Sequence, residues 1–257
     1  MNQRTTKDIR ALKSKEKIAM LTAYDYPTAT ILDEAGIDIL LVGDSVGNVI
    51  LGFPNTLRVT VDMMIHHTQA VARGVKKALV VADMPFGSYQ ASPSQAIENA
   101  SRLLSEGHAH AVKLEGGKSM AETVRRLVEV GIPVMGHIGL TPQSINELGG
   151  YYTHGKTSPE AKILFEDAKA LEQAGVFSLV LECVEPELSK HITQNVSIPT
   201  IGIGSGEDCD GQVLVTHDMV GFTTHKVPKF VKQTANLRSI ITESALSYIT
   251  RVKENQK

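Results

Sequence analysis

The sequence predicts a closed (β/α)8 barrel, and three observations predict it. Eight short apolar runs recur along the chain, helix-patterned segments lie between them, and 257 residues suit one barrel domain. An open doubly wound sheet is the alternative. The runs cover 18–23, 39–42, 79–82, 111–114, 133–136, 178–181, 200–203 and, least apolar of the set, 219–222. Their apolar residues are continuous rather than alternating, as expected of parallel strands covered on both faces.

A helix-like stretch at 5–15 precedes the first strand and is expected to cap the barrel floor. Helical patterns then cover 26–36, 62–74, 92–107, 119–131, 159–175 and 185–195, several closing on glycine: Gly36, Gly74, Gly131 and Gly175. The clearest has Ser92 to cap its first turn, Pro93 at its first position and Gly107 at its end. Residues 43–62 delay the second helix and are long enough for a lid or small hairpin over the top. No linker or fixed repeat interrupts the chain, so residues 1–257 read as one domain. The polar tail Arg251–Lys257 is expected to fray.

Composition narrows the function classes. With 26 basic against 28 acidic residues the net charge is -2, which offers no broad basic face for nucleic acid. No apolar run reaches the ~18 residues of a membrane span, and the first residues lack the apolar centre of a signal peptide, so the expected location is the cytoplasm. Cys183 and Cys209 lack CxxC spacing and read as free thiols.

In a barrel the chemistry gathers at the carboxyl ends of the strands. Those ends supply Asp25, Asp44, Asp83, Glu115, His137 and Glu182. Acids crowded at one rim raise one another's pKa unless a cation sits among them, and oxygen-only ligands suit Mg2+ better than zinc. Lys113 lies two residues before Glu115, on the same side of its strand, and reads as the counter-charge for an anionic substrate. A metal, a lysine and a spare carboxylate suit proton abstraction beside a carbonyl, as in a 2-oxo acid. Glu182, alone on the far side of the barrel from Asp44 and Asp83, fits the base. Met63-Met64 and His66-His67 sit in a predicted helix and read as packing and surface. Gly202, Gly204 and Gly206 depart from GxGxxG spacing and suit contact with a flat ring better than a phosphate.

Several strings are specific enough to name a family. Thr22-Ala23-Tyr24-Asp25-Tyr26, Val42-Gly43-Asp44-Ser45, Ala82-Asp83-Met84-Pro85-Phe86 and Val112-Lys113-Leu114-Glu115-Gly116-Gly117 follow in order. Gly136-His137-Ile138-Gly139-Leu140-Thr141-Pro142-Gln143, Leu181-Glu182-Cys183-Val184, Gly202-Ile203-Gly204-Ser205-Gly206 and Asp210-Gly211-Gln212-Val213-Leu214-Val215 continue the series. Together they resemble ketopantoate hydroxymethyltransferase over residues 5–235. The resemblance implies a phosphoenolpyruvate/pyruvate-type TIM barrel that transfers a hydroxymethyl group from 5,10-methylenetetrahydrofolate to 3-methyl-2-oxobutanoate through a Mg2+-stabilised enolate. The products would be 2-dehydropantoate and tetrahydrofolate, in the first committed step of pantothenate synthesis. It also implies one Mg2+ per subunit and a homodecamer of two pentameric rings. By the same resemblance Asp44, Asp83 and Glu115 match metal-binding acids, Glu115 as a weaker or water-mediated ligand. Asp44, Ser45, Asp83 and Lys113 match substrate-binding positions, and Glu182 matches the general base. Rival readings are a carbon–carbon lyase or mutase of the same barrel class, and a non-catalytic binder of 2-oxo acids or folate.

Overall fold

The computed structural model describes residues 3–254. They fall into two compact units, Met1–Val213 and Leu214–Lys257, each described by itself. The first holds the parallel strands β1 (Ile18–Thr22), β2 (Ile39–Val42), β3 (Leu79–Asp83), β4 (Ala111–Glu115), β5 (Val134–Gly139), β6 (Ser178–Glu182) and β7 (Thr200–Ile203), with β8 (Gly211–Leu214) ending at its edge. They close in sequence order into one barrel.

Seven strands form where the apolar runs placed them. The eighth does not: residues 219–222 close a helix and turn, and the strand is Gly211–Leu214. Its burial alternates, with Gln212 exposed, so it lacks the continuous apolar run that betrays the others. A Cβ at Gly211 would collide with the Ile18 carbonyl oxygen, so glycine lets this strand approach β1 closely.

Helices α1 (Thr6–Ala11), α2 (Tyr26–Glu34), α3 (Val46–Val49), α4 (Val61–Gly74), α5 (Pro93–Ser105), α6 (Ala121–Glu129), α7 (Ile145–Leu148), α8 (Ser158–Ala174) and α9 (Pro186–Asn195) complete the first unit. Side chains start several of them by accepting a backbone N–H that the helix leaves unpaired. Thr60 accepts from Met63 N and Ser92 from Gln95 N, both at 3.2 Å. Gly175 ends α8 with φ of 99°, a left-handed turn that a side chain would strain.

Strand alternation divides the core in two. Leu40, Val42, Val80, Ala82, Val112 and Leu114 face the helices, against Met64, Leu103 and Leu127. Ile39, Leu41, Leu79, Val81, Ala111, Met135 and Val180 fill the barrel interior. Ile9 of α1 is fully buried in that inner cluster, and Arg4 N donates to Lys77 O at 2.7 Å just before β3. The expected floor cap is therefore present. Residues 43–62 form α3 and a 3-10 turn at Thr56–Arg58 and pair with no strand, so the hairpin alternative is not realised.

The second unit contains α10 (Thr216–Met219) and α11 (Leu237–Glu254). The long α11 has no apolar periodicity strong enough to announce it, and none of its residues is buried. The tail expected to fray is helical through Glu254, and residues 255–257 lie outside the described residues.

Candidate active site

Alternation also decides which polar side chains enter the lumen. Continuing the inward-facing rows past Val81, Ala111, Met135 and Val180 leads to Asp83, Lys113 with Glu115, His137 and Glu182. All but Glu182 are buried among the lumen residues, and Glu182 is the partly open member.

These groups form one connected chain. Asp83 Oδ1 lies 2.7 Å from Lys113 Nζ, and Asp83 Oδ2 accepts from the backbone N–H of Asp44 at 3.0 Å. Lys113 Nζ stands 3.4 Å from His137 Nδ1, which is 3.5 Å from Glu115 Oε1. On its other edge, His137 Nε2 is 3.2 Å from Glu182 Oε2. Glu182 is thus not alone on the far side of the barrel: β5 lies between β4 and β6 and brings His137 to it.

Electrostatics follow from burial. The Asp44 carboxyl is pushed up to about 7, first by desolvation and then by the Asp83 charge. Desolvation, with the Asp44 charge, also raises Glu115 well above the usual carboxylate range. Lys113 keeps its proton because Asp83, Glu115 and Asp44 outweigh the cost of burying it. Burial, then the Lys113 charge, lowers His137 and favours the neutral ring. Tyr24 OH and Ser45 Oγ lie 2.7 Å apart at the start of α3.

A divalent cation fits this mouth. Asp44 and Asp83 are two adjacent buried carboxylates whose mutual repulsion a cation would relieve, and both offer oxygen. Among the described residues no three Asp, Glu, His or Cys side chains already converge as a cage.

The other residues singled out in the sequence have places of their own. Asp25 accepts from Thr28 N at 2.8 Å and from Thr28 Oγ1, so it caps α2 rather than joining the acids. Met64 packs in the core, His66 is exposed, and His67 Nδ1 meets Tyr24 O at 2.7 Å, in keeping with packing and surface. A Cβ at Gly202 would meet Cys209 Sγ at 3.1 Å, and one at Gly206 would meet Pro186 Cβ at 2.9 Å, so close packing accounts for both glycines. Cys183 and Cys209 are free thiols; burial, then Glu182, pushes Cys183 up to about 11. Cys183 also holds φ at 49°, a strained conformation immediately after Glu182.

Sequence reasoning missed Gln143 and Tyr89. Gln143 Nε2 donates to Asp44 Oδ2 at 2.9 Å and to Met84 O at 3.0 Å. Its backbone N–H donates to Glu115 Oε2 at 3.0 Å, and its Oε1 accepts from Tyr89 OH at 2.7 Å. Neither residue closes a strand, so no periodicity pointed to them.

A family model described as ketopantoate hydroxymethyltransferase matches residues 3–256. The chain is 57% identical over 242 residues to 3-methyl-2-oxobutanoate hydroxymethyltransferase of Thermoanaerobacter sp. (strain X514), covering 94% of this chain and 88% of that protein. It is 56% identical over 257 residues to the enzyme of the same name from Carboxydothermus hydrogenoformans, covering 100% and 93%. Among solved structures, phosphoenolpyruvate phosphomutase from Streptomyces platensis subsp. rosaceus superposes with a TM-score of 0.66 at 13% identity, covering 98% and 88%. That likeness shows the barrel type alone.

Proposed function

The chain belongs to the ketopantoate hydroxymethyltransferase family, and from that premise we infer how its mouth is used. Its reaction is hydroxymethyl transfer to 3-methyl-2-oxobutanoate, giving ketopantoate for pantothenate biosynthesis, with 5,10-methylenetetrahydrofolate as one-carbon cosubstrate.

The observation that carries the assignment of roles is the placement of Asp83–Lys113 and His137–Glu182 on one connected chain inside one lumen. Lys113 holds positive charge where an anionic 2-oxo acid needs it, and Asp83 fixes its position. Ser45 Oγ, held by Tyr24 OH, offers a hydroxyl to the substrate's polar end. Asp44 and Asp83 would hold Mg2+, one per subunit, with Glu115 reaching it through water; the bound ion supplies polarisation of the substrate carbonyl. Glu182 accepts the proton from C3, and its partial exposure leaves one side open to substrate. The carbon so freed bonds the methylene carbon of the cosubstrate, both C–N bonds of that carbon break, one water supplies the hydroxyl oxygen, and the C3 proton and the remaining water proton end on the two folate nitrogens; burial of the surrounding lumen limits protonation of the freed carbon by other water.

Titration of the protein with Mg2+ tests the metal assignment. Asp83→Ala should abolish the binding seen for the natural chain, and an unchanged titration would remove Asp83 from the site.

The assembly we propose is a homodecamer of two pentameric rings. Supporting it, α11 leaves Ile240, Ile241, Leu246, Tyr248, Ile249 and Val252 exposed, an apolar load that a second copy could cover. No helix among the described residues is long and apolar enough to cross a membrane. We place the enzyme in the cytoplasm, a reading supported by its two free thiols.

A further inference from the structure

Asp44 and Glu115 sit on different loops and strands, yet both carboxylates are tied to the same residue. Gln143 follows β5 on the short turn Pro142–Ser144, and its main chain and side chain act separately. The backbone N–H occupies Glu115 Oε2, and the side-chain amide occupies Asp44 Oδ2. Both amide hydrogens are used, one on Asp44 and one on Met84 O, while Oε1 accepts from Tyr89 OH. Tyr89 OH in turn accepts from Glu115 N at 3.1 Å, closing the circuit on the strand that carries Glu115. Oε1 also accepts from Gln90 Nε2 at 3.3 Å, so the amide cannot flip without breaking four bonds.

We propose that Gln143 is the positioning residue of this mouth: by occupying one oxygen of Asp44 and one of Glu115, it fixes the direction of the other oxygen of each, leaving Asp44 Oδ1 for the cation and holding Glu115 Oε1 beside His137 Nδ1. The inference rests on the reading that Asp44 and Asp83 hold Mg2+. Donors to one carboxylate oxygen fix the plane and direction of the other, and removing such a supporting partner commonly weakens metal affinity or activity about 10- to 100-fold. A side chain present only for packing would leave both unchanged.

The test compares the natural chain with Gln143→Met, which keeps the volume and removes the amide. Calorimetric Mg2+ titration of the metal-free protein is followed by kcat and KM for 3-methyl-2-oxobutanoate at low and saturating Mg2+. Mg2+ affinity should fall at least about 10-fold, with activity largely restored by saturating Mg2+, a rescue that general structural damage would not show. Unchanged affinity in a folded variant would overturn the inference alone. Absence of Mg2+ binding by the natural chain would overturn the metal reading and this inference with it. Should Gln143→Met fail to fold, Tyr89→Phe removes the shorter of the two hydrogen bonds that Oε1 accepts while keeping the amide. A weaker Mg2+ affinity in that variant supports the inference, and an unchanged one overturns it.

Discussion

His137 Nε2 lies 3.2 Å from Glu182 Oε2, which makes the proposed base the end of a buried polar chain rather than an isolated acid. Burial, then the Lys113 charge, favours the neutral ring, whose Nε2 faces Glu182 and whose Nδ1 stands 3.4 Å from Lys113 Nζ. One imidazole thus links the lysine side of the mouth to the base side.

The Lys113–Asp83 pair is buried at both ends, so removing one partner leaves an uncompensated charge in the lumen. Lys113→Met should cost about 3–5 kcal/mol of stability in metal-free protein. The double variant Lys113→Met with Asp83→Asn should cost clearly less, because neither charge is then stranded. Urea unfolding of the two proteins checks this, and equal losses would mean the pair is not coupled.

His110 provides a pH test away from the mouth. Its Nδ1 accepts from Val80 N at 3.0 Å, and burial lowers its pKa below the ordinary 6.5. The unfolded chain therefore binds the proton more readily than the folded one. The contribution of this group to stability is complete above pH 6.5 and is lost as pH falls below it. Thermal unfolding should show the natural chain losing more stability than His110→Gln between about pH 7.5 and pH 5.5. Identical losses would contradict the assignment.

The parts of this molecule legible in its sequence are those governed by periodicity. Seven strands follow continuous apolar runs, and two-residue alternation correctly puts Lys113 and Glu115 on one side of β4. β8 escaped because one of its faces is wet at Gln212, and α11 because it buries nothing. At the site, position at a strand end picked out Asp83, Glu115 and Glu182, which the barrel gathers in its lumen, and also Asp25, whose carboxylate caps a helix. The sequence could not show that His137 bridges to Glu182, or that Gln143 ties Asp44 to Glu115. Those relations arise from barrel closure, which joins residues from strands and loops far apart in the chain.

In the proposed reaction Glu182 removes the C3 proton of a 2-oxo acid during Mg2+-dependent hydroxymethyl transfer. Proton NMR in D2O with 3-methyl-2-oxobutanoate, 5,10-methylenetetrahydrofolate and Mg2+ tests it most directly, comparing the natural chain, an EDTA control and Glu182→Gln. The natural chain should give a new hydroxymethyl signal that EDTA abolishes, and Glu182→Gln should lower C3 exchange and product formation about 100- to 10,000-fold while substrate still binds. Product formation at an undiminished rate in Glu182→Gln, or in the presence of EDTA, would contradict it.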